Sequence, residues 1–391
     1  MALDSRSETM ARRKTLATAI NIEDFRIQAK RRLPKVIYDY IEGGSFEQIT
    51  LRANRSDLDA IRFRQRGLID VSKRSLATTV LGEELAMPII LGPVGSLGAF
   101  ARNGEAGAAR AAERAGIQSC LSTGSILSIE DVRAARKKPY WFQLYINQDR
   151  AHADALVDRA AKAECPVLMI TIDSQIFAKR EPSIRNGFTV PLRTTPANVF
   201  DMMRRFDWLM DVAMGPRLAY GNFPGGRRNF NPVLRMAVGG GQDDTLNWRD
   251  IDHMRARWKG KLVIKGIMAP EDALLAIEHG ADGIVVSNHG GRQMDSVSST
   301  IRVLPRIADA VQGRIAVLFD SGVRRGQDVI KALALGADAC LLGRAYAYAM
   351  GAAGESGVEQ AIEILRTDMY SVLGFLGLQN VREIGRGVID A

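Results

Sequence analysis

The 391-residue sequence predicts a (β/α)8 barrel, on three observations. Short apolar segments alternate with helices rich in alanine and leucine, a pattern that indicates a parallel sheet. These segments number eight, which is the number of strands that closes a barrel of this type. The triplet Gly-Ala-Asp occurs at 280–282 and again at 336–338, 56 positions later (336 − 280), each time before an apolar segment. Repeated βα units would produce this echo.

The predicted strands follow in chain order. They span residues 88–93, 117–122, 140–145, 167–173, 262–266, 283–288, 315–320 and 339–343. Helix signals separate the later strands, because Pro270 opens the segment PEDALLAIEHG and Gly280 closes it. The segment GQDVIKALALG ends in the same way at Gly336.

Three parts of the chain fall outside this rhythm. Residues 1–21 are expected to form a flexible N-terminal tail, and residues 22–391 a single domain. Residues 22–85 precede the first barrel strand and are predicted to be helical around 23–43. Residues 182–245, called the insertion below, separate the fourth and fifth strands. A loop of this length inside a compact domain is usually functional or disordered.

Composition narrows the class of protein. With 46% hydrophobic and 25% charged residues, and no apolar run of roughly 20 residues, the chain is typical of a soluble globular enzyme. The N-terminus lacks the apolar segment of a secretory signal, which predicts a cytoplasmic location. Cys120, Cys165 and Cys340 have no metal-ligand spacing, so we expect reduced core thiols and no metal site.

The net charge of +9 suits anionic ligands or an anionic membrane surface. Nucleic acid is not expected as a partner, because the sequence has neither a long Lys/Arg run nor a nucleic-acid-binding motif.

Polar residues and glycines collect where the predicted strands end. They are Gly95, Ser122, Thr123, Gln143, Tyr145, Thr171, Asp173, Lys265, Ser287, Asn288, His289, Asp320, Arg324, Gly343 and Arg344. Barrels of this type carry their chemistry at that face, so the pattern predicts a ligand site there. The last two loops, DSGVRRG and GR, offer glycine N–H groups and cations, which predicts a phosphate-binding site.

His289 is the candidate base. Of the four histidines it alone follows a buried strand and opens a Gly-Gly turn, HGGRQ. Arg292 lies three residues further on, so both side chains can face one small anion. Arginine binds a carboxylate through two parallel hydrogen bonds, and histidine can accept a proton near neutral pH. The turn therefore predicts a carboxylate substrate beside a base.

The segment SNHGGRQMD at 287–295 resembles the active-site signature of the FMN-dependent 2-hydroxy acid oxidases and dehydrogenases. This family includes glycolate oxidase, L-lactate dehydrogenase and mandelate dehydrogenase. Further segments match it in order: LPKVIYDYIEGG (33–44), LGPVG (91–95), LSTGS (121–125), WFQLY (141–145), TID (171–173), VIKG (263–266), DSGVRRG (320–326) and ALALGAD (332–338). The resemblance runs from about residue 22 to 385. It implies FMN as cofactor, oxidation of a small L-2-hydroxy acid to a 2-keto acid, and a homotetramer.

The resemblance also implies residue roles. Tyr40 and Arg292 would bind the substrate carboxylate, with Arg180 as a second cation nearby. Tyr145 would hydrogen-bond the substrate oxygen. His289 would be the base, and Asp173 would stabilise its imidazolium form. Two alternatives stay open: His289 takes either the α-proton, leaving a carbanion, or the hydroxyl proton during hydride transfer.

The implied FMN site contains the remaining candidates. Lys265 would lie at the N1/O2 edge of the flavin and stabilise its reduced anionic ring. Ser287 is also assigned to the FMN site. The flavin ring would be held by Pro93, Val94, Gly95, Ser122, Gln143 and Thr171. The ribityl chain and phosphate would be held by Asp320, Gly322, Arg324, Gly343 and Arg344.

Two features bear on the electron acceptor. Gly95 stands where many oxidases of this family carry alanine, which favours a dehydrogenase with a quinone-type acceptor; oxygen is the alternative. The insertion has seven arginines and no lysine between residues 193 and 236, together with tryptophan, methionine and phenylalanine. It resembles the segment by which membrane-associated members contact the bilayer, and so predicts contact with the inner face of the cytoplasmic membrane. The alternative is a lid over the barrel mouth.

The substrate is left open between a lactate-sized and an aromatic 2-hydroxy acid. Gly124 stands where plant glycolate oxidases carry a tryptophan, which leaves room in the pocket. Phe177 and residues of the insertion could fill that room again. A flavin-dependent isomerase without net redox chemistry and a non-catalytic barrel are remote alternatives. The isomerase leaves the carboxylate clamp of His289, Arg292 and Tyr40 unexplained. A non-catalytic barrel would be expected to lose one of the catalytic residues His289, Arg292, Lys265 and Asp173, and all four are present.

Overall fold

The computed structural model describes residues 10–176, 178–187, 195–223 and 243–390. Helices and a hairpin precede the barrel. The helices are α1 (Met10–Thr18), α2 (Ile22–Arg32), α3 (Lys35–Glu42) and α4 (Ile49–Ala60). The antiparallel hairpin consists of β1 (Thr78–Val80) and β2 (Glu83–Leu85).

Eight parallel strands form a closed barrel, which confirms the predicted fold and all eight predicted strands. They are β3 (Ile89–Leu91), β4 (Gln118–Ser122), β5 (Trp141–Leu144), β6 (Val167–Thr171), β7 (Lys261–Ile267), β8 (Gly283–Val286), β9 (Ala316–Phe319) and β10 (Ala339–Leu342). Each strand pairs with its neighbour in sequence, and β10 closes the barrel on β3. Seven predicted strands are longer than the observed ones because they include residues that flank each strand. The exception is β7, which extends one residue beyond the predicted 262–266 at each end.

Helices cover the outside of the barrel. Those before the insertion are α5 (Gly104–Arg114), α6 (Ile129–Ala134) and α7 (Arg150–Lys162). The insertion region contributes α8 (Glu181–Arg185), α9 (Pro196–Arg204) and α10 (Phe206–Ala213). The remaining helices are α11 (Trp248–Arg257), α12 (Pro270–Glu278), α13 (Thr300–Val311), α14 (Gly326–Ala334) and α15 (Arg344–Phe375), the last broken at Gly354.

Alternate side chains of the strands fill the barrel interior. Ile90, Trp141, Met169, Val285 and Leu318 belong to one fully buried cluster inside the ring. The intervening strand residues point outward and pack beneath the helices, as the two-residue period of a strand requires. The three cysteines are free and buried, as predicted. Because the interior is packed, a ligand site can form only at a rim.

Two N-terminal predictions need correction. The helix predicted around 23–43 is two helices, α2 and α3, separated by Leu33 and Pro34. Leu33 is extended, with φ −78° and ψ 146°, because the proline ring disfavours a helical conformation in the residue before it. The flexible tail expected over 1–21 contains a helix, α1, in its described part. Gln360 Nε2 donates to the carbonyls of Leu16 and Ala19 and fixes this end of the chain to α15. Residues 1–9 lie outside the described residues.

The insertion is attached to the barrel by α10. Trp208 is buried and its Nε1 donates to the carbonyl oxygen of Ala99 at 2.8 Å. Asp211, one turn later, is also buried and forms ion pairs with Arg32, at 2.8 Å, and with Arg12. Parts of the predicted membrane segment 193–236 lie outside the described residues. In the part of the chain that the structure describes, no helix has the length and apolarity needed to cross a bilayer.

Candidate active site

The C-terminal ends of the barrel strands surround one cavity, and most of the predicted site residues line it. These are Tyr40, Pro93, Val94, Gly95, Ser122, Tyr145, Thr171, Arg180, Lys265, His289, Arg292, Asp320, Gly322, Arg324, Gly343 and Arg344. Asp173, Gln143 and Ser287 lie one contact behind this wall. They hydrogen-bond to His289, Ser122 and Lys265 respectively.

His289 is held by the strained turn that follows β8. His289, Gly290 and Gly291 all have positive φ, at 57°, 67° and 70°. A Cβ on Gly291 would lie 2.6 Å from the backbone nitrogen of Leu51, so only glycine fits where α4 approaches this turn. The backbone N–H of His289 donates to Ser287 Oγ at 3.1 Å. The imidazole is thereby aimed into the cavity from a rigid support.

Asp173 orients the imidazole. Its Oδ1 lies 2.9 Å from His289 Nδ1, which leaves Nε2 as the nitrogen that can act as base. Burial lowers the pKa of His289 below its usual value even though Asp173 opposes the shift. Burial would raise the pKa of Asp173, but His289 and Lys265 outweigh it and hold that pKa below its usual value. At neutral pH the pair therefore consists of a neutral imidazole and a carboxylate.

The guanidinium groups of Arg292 and Arg180 give the cavity a positive charge that favours binding of an anion. Arg292 donates to the carbonyls of Tyr40, at 2.6 Å, and Gly43, at 3.0 Å, and its guanidinium lies 4.9 Å from the centre of the Tyr40 ring. Arg180 Nε donates to the carbonyl of Arg292 at 3.2 Å. Burial and, after it, the charge of Arg180 lower the pKa of Arg292 to about 9. A bound carboxylate would relieve this unfavourable concentration of buried positive charge.

Tyr145 is placed to donate a hydrogen bond. Burial and the neighbouring Asp173 raise the pKa of Tyr145 to about 12, so its hydroxyl stays protonated at neutral pH. Its backbone N–H donates to Thr123 Oγ1 at 3.2 Å, which ties the end of β5 to that of β4. Arg292 and Tyr145 line the same cavity as His289, so charge, donor and base face one volume.

Several features of the inner cavity fit the polar edge of a flavin. Gln143 Nε2 and Thr171 Oγ1 are buried without a hydrogen-bond partner in the structure, which is costly unless a ligand supplies one. Lys265 donates to Ser287 Oγ at 2.7 Å and lies 3.1 Å from Asp320. Burial would lower the pKa of Lys265, but Asp320 and Asp173 raise it, so the ammonium stays charged. The residues present therefore fit FMN.

The two loops predicted to bind phosphate are held in place by buried groups. Asp328 accepts hydrogen bonds from the backbone nitrogens of Arg324, at 2.8 Å, and Arg325, at 2.9 Å. Arg344 donates to the carbonyls of Ile41, Gly43 and Gly290. Burial lowers its pKa to about 10. Arg324 and Arg344 both line the cavity, so binding a phosphate remains a prediction for both.

The cavity also contains residues that the sequence did not single out. Tyr220 and Phe223, from the insertion, line it beside Leu246. Asn54 of α4 forms a reciprocal amide pair with Asn288, with both hydrogen bonds at 2.8 Å, directly behind His289. The segment YGNF at 220–223 carried a signal, a glycine between aromatic residues, but nothing in the sequence placed it near the barrel mouth. Phe177 lies outside the described residues.

Comparisons with known proteins show the family of the chain. The model of the family described as FMN-dependent dehydrogenase matches residues 29–391. An L-lactate dehydrogenase of Pseudomonas aeruginosa (strain LESB58) is 43% identical over 368 residues, covering 92% of this chain and 95% of the relative. A solved structure of (S)-mandelate dehydrogenase, described as a monotopic membrane protein, superposes with a TM-score of 0.91. It is 36% identical and covers 95% of this chain and 99% of that one. A mandelate oxidase structure with (S)-4-hydroxymandelic acid is 33% identical, with a TM-score of 0.82 and coverage of 95% and 98%.

Proposed function

The chain belongs to the FMN-dependent dehydrogenase family, and from that premise we propose that it oxidises L-lactate to pyruvate. Membership confirms the predicted family, enzyme class and cofactor. The choice of L-lactate rests on the curated relatives, which are named L-lactate dehydrogenase at 42–43% identity. The observation that carries the proposal is the His289–Asp173 pair facing the same cavity as Arg292.

The residues of the site have separate roles in the proposed reaction. Arg292, with Arg180 behind it, binds the substrate carboxylate and sets its orientation. Tyr145 donates a hydrogen bond to the substrate oxygen. His289 Nε2 accepts a proton from the substrate, either from C2 or from the hydroxyl group, and Asp173 stabilises the imidazolium that results. When bound, FMN accepts the two electrons that leave the substrate.

An anaerobic titration of the FMN-loaded protein tests this proposal. L-Lactate should bleach the flavin absorbance, and glycolate and (S)-mandelate serve as shorter and larger substrates for comparison. His289→Gln removes the base and is expected to retain FMN without bleaching. The proposal is wrong if L-lactate leaves the wild-type spectrum unchanged, or if His289→Gln is bleached at the wild-type rate.

The acceptor is proposed to be a quinone reached at a membrane surface. Among the described residues of the insertion, α9, α10 and the residue after α10 expose apolar side chains. These are Val199, Phe200, Met203, Phe206, Leu209, Met210 and Met214. Arg204 and Arg217 lie exposed along the same segment. An apolar face flanked by arginines suits the headgroup region of an anionic bilayer. The same insertion also borders the cavity, because Tyr220 lines it.

Vesicle co-sedimentation tests the membrane contact. The protein should bind vesicles containing phosphatidylglycerol at low salt and be partly released at high salt. The double variant Phe200→Ser, Phe206→Ser removes two side chains that are 61% and 65% exposed, and should lower binding at least tenfold. Phe375→Ser, a residue 62% exposed on α15, is the matched control and should bind as wild type. An equal loss of vesicle binding in the double variant and in Phe375→Ser would contradict the membrane contact, as would the absence of binding by the wild type at low salt.

Reoxidation distinguishes the acceptors. After anaerobic reduction, a soluble quinone analogue should reoxidise the protein much faster than dissolved oxygen does. A homotetramer, expected from family resemblance, would be measured by light scattering on the FMN-loaded protein.

A further inference from the structure

Tyr220 of the insertion lines the cavity that also contains the predicted substrate residues. The side chain is buried, with 5% of its surface exposed, and lines the cavity together with Tyr40 and Phe100. Its hydroxyl lies 2.9 Å from Ser96 Oγ. The aromatic ring of Tyr220 also meets Phe223 edge to face, with centroids 6.2 Å apart. Tyr220 therefore has a defined position in the cavity wall.

The residues that follow Tyr220 fix it to the barrel. Gly221 lies so close to the loop after β4 that a Cβ would stand 2.5 Å from the backbone nitrogen of Ser128. Asn222 is buried, accepts from the backbone N–H of Ile129 at 3.0 Å and donates to Ser125 Oγ at 2.9 Å. These hydrogen bonds join the insertion to the rim of the barrel. Tyr220 is consequently part of a fixed wall and not of a loop that must close.

Two contacts place this wall beside the expected position of the substrate. The backbone N–H of Ser96 donates to the carbonyl of Gly124 at 2.8 Å, so the Tyr220 hydroxyl reaches the loop next to Gly124. A Cβ built on Gly95 would lie 3.4 Å from the Tyr40 hydroxyl. The hydroxyls of Tyr40 and Tyr220 thus approach two consecutive residues, Gly95 and Ser96 respectively. The room that Gly124 leaves is bordered by a tyrosine of the insertion.

We propose that Tyr220 is a specificity-determining residue that restricts the substituent on the substrate's C2 atom to a short aliphatic group. This inference rests on the proposed function and names the substrate class of the same site. Tyr40 and Arg292 bind the carboxylate, and the ring of Tyr220 occupies volume that a phenyl substituent would need. A wall anchored on both sides, by Ser96 and by Asn222, does not move aside at low cost.

Kinetics on a series of 2-hydroxy acids test the proposal. L-Lactate, L-2-hydroxybutyrate, L-2-hydroxy-4-methylpentanoate and (S)-mandelate increase in size at C2. Tyr220→Ala opens the wall, and Tyr220→Phe keeps the ring but loses the hydrogen bond to Ser96. One methylene in a pocket changes kcat/KM by about 10- to 200-fold, so the mandelate-to-lactate ratio should rise at least about tenfold in Tyr220→Ala. Tyr220→Phe should keep this ratio within about threefold of wild type, because its ring fills the same volume.

A binding measurement supplies a readout that does not depend on turnover. Phenylacetate has no hydroxyl group to oxidise, and its dissociation constant can be read from perturbation of the flavin spectrum. Tyr220→Ala should bind phenylacetate at least about tenfold more tightly relative to acetate than wild type does. Tyr220→Leu, which keeps an apolar group at this position, is the second variant if Tyr220→Ala does not fold, and it should shift both ratios in the same direction.

The outcomes separate the two proposals. If no 2-hydroxy acid bleaches the wild-type flavin, the proposed function fails. If L-lactate bleaches the wild-type flavin but the ratios of the folded Ala or Leu variant stay within threefold of wild type, Tyr220 does not set specificity. A wild type that already prefers (S)-mandelate over L-lactate would also overturn the inference.

Discussion

Replacing Asp173 by asparagine isolates the charge that supports the base. The substitution keeps the size of the side chain and a hydrogen bond to His289 Nδ1, which now lies 2.9 Å from Asp173 Oδ1. It removes the negative charge that stabilises the imidazolium. Two unit charges about 4 Å apart interact by about 4 kcal/mol at an effective dielectric constant of about 20. The remaining neutral hydrogen bond recovers part of this, so we expect a loss of about 2–4 kcal/mol.

That loss corresponds to flavin reduction about 30- to 1,000-fold slower, since about 1.4 kcal/mol is a factor of ten. Anaerobic stopped-flow measurements with saturating L-lactate report the rate directly. Ser174→Ala is the matched control, because Ser174 Oγ hydrogen-bonds Asp173 Oδ1 at 3.2 Å without carrying charge. Its rate should stay within about tenfold of wild type. If Asp173→Asn reduces its flavin within threefold of wild type, the stabilising role of this carboxylate is refuted.

Further predictions concern the pH dependence of the reaction, the buried amide pair behind His289 and the space around Gly95. Because burial lowers the pKa of His289 and the base must be neutral, kcat/KM should fall only as pH drops below about 6.5. An acidic limb centred at or above pH 7 would contradict this shift. Asn54→Ala breaks the buried amide pair with Asn288 and should lower the free energy of unfolding by about 1–3 kcal/mol in urea titrations of the FMN-loaded protein. An unchanged urea midpoint would show that the pair is dispensable. Gly95→Ala puts a Cβ 3.2 Å from the Gly124 carbonyl and 3.4 Å from the Tyr40 hydroxyl. The neighbouring residues of the pocket must then shift, so KM for L-lactate should rise severalfold. An unchanged KM would show that these neighbours accommodate the methyl group without affecting substrate binding.

The sequence predicted the barrel because its signals are local. A buried strand is a short apolar segment, and the first polar residue after it marks its end. The same pattern therefore predicts both the number of strands and the residues at the rim of the barrel. His289, Lys265 and Asp320 could be placed at one face for this reason. The family resemblance then added Tyr40, which lies outside the barrel repeat.

What the sequence could not predict depends on contacts between distant segments. Tyr220 enters the cavity because Gly221 and Asn222 dock on a loop about 95 residues earlier in the chain, and no periodicity records that docking. The pairing of Asn54 with Asn288 spans 234 positions. The structured start of the chain was missed for the same reason. Residues 10–18 are polar by composition and gain their order from α15 and from Asp211.

The pairing of Arg12 and Arg32 with Asp211 has a consequence for how this chain can be shortened. Residues 1–21 look disposable by composition, and a truncation beginning at residue 22 would be a natural choice for protein production. That truncation would remove one of the two arginines paired with a carboxylate that is only 8% exposed. The insertion would then keep the contacts of Trp208 with Ala99 and of Asp211 with Arg32 and the backbone N–H of Arg102 as attachments at α10. A truncated protein could therefore retain its barrel and its flavin while the surface proposed to meet the membrane is less firmly held. A difference in membrane binding between truncated and full-length chains would then report how firmly α10 is attached to the barrel.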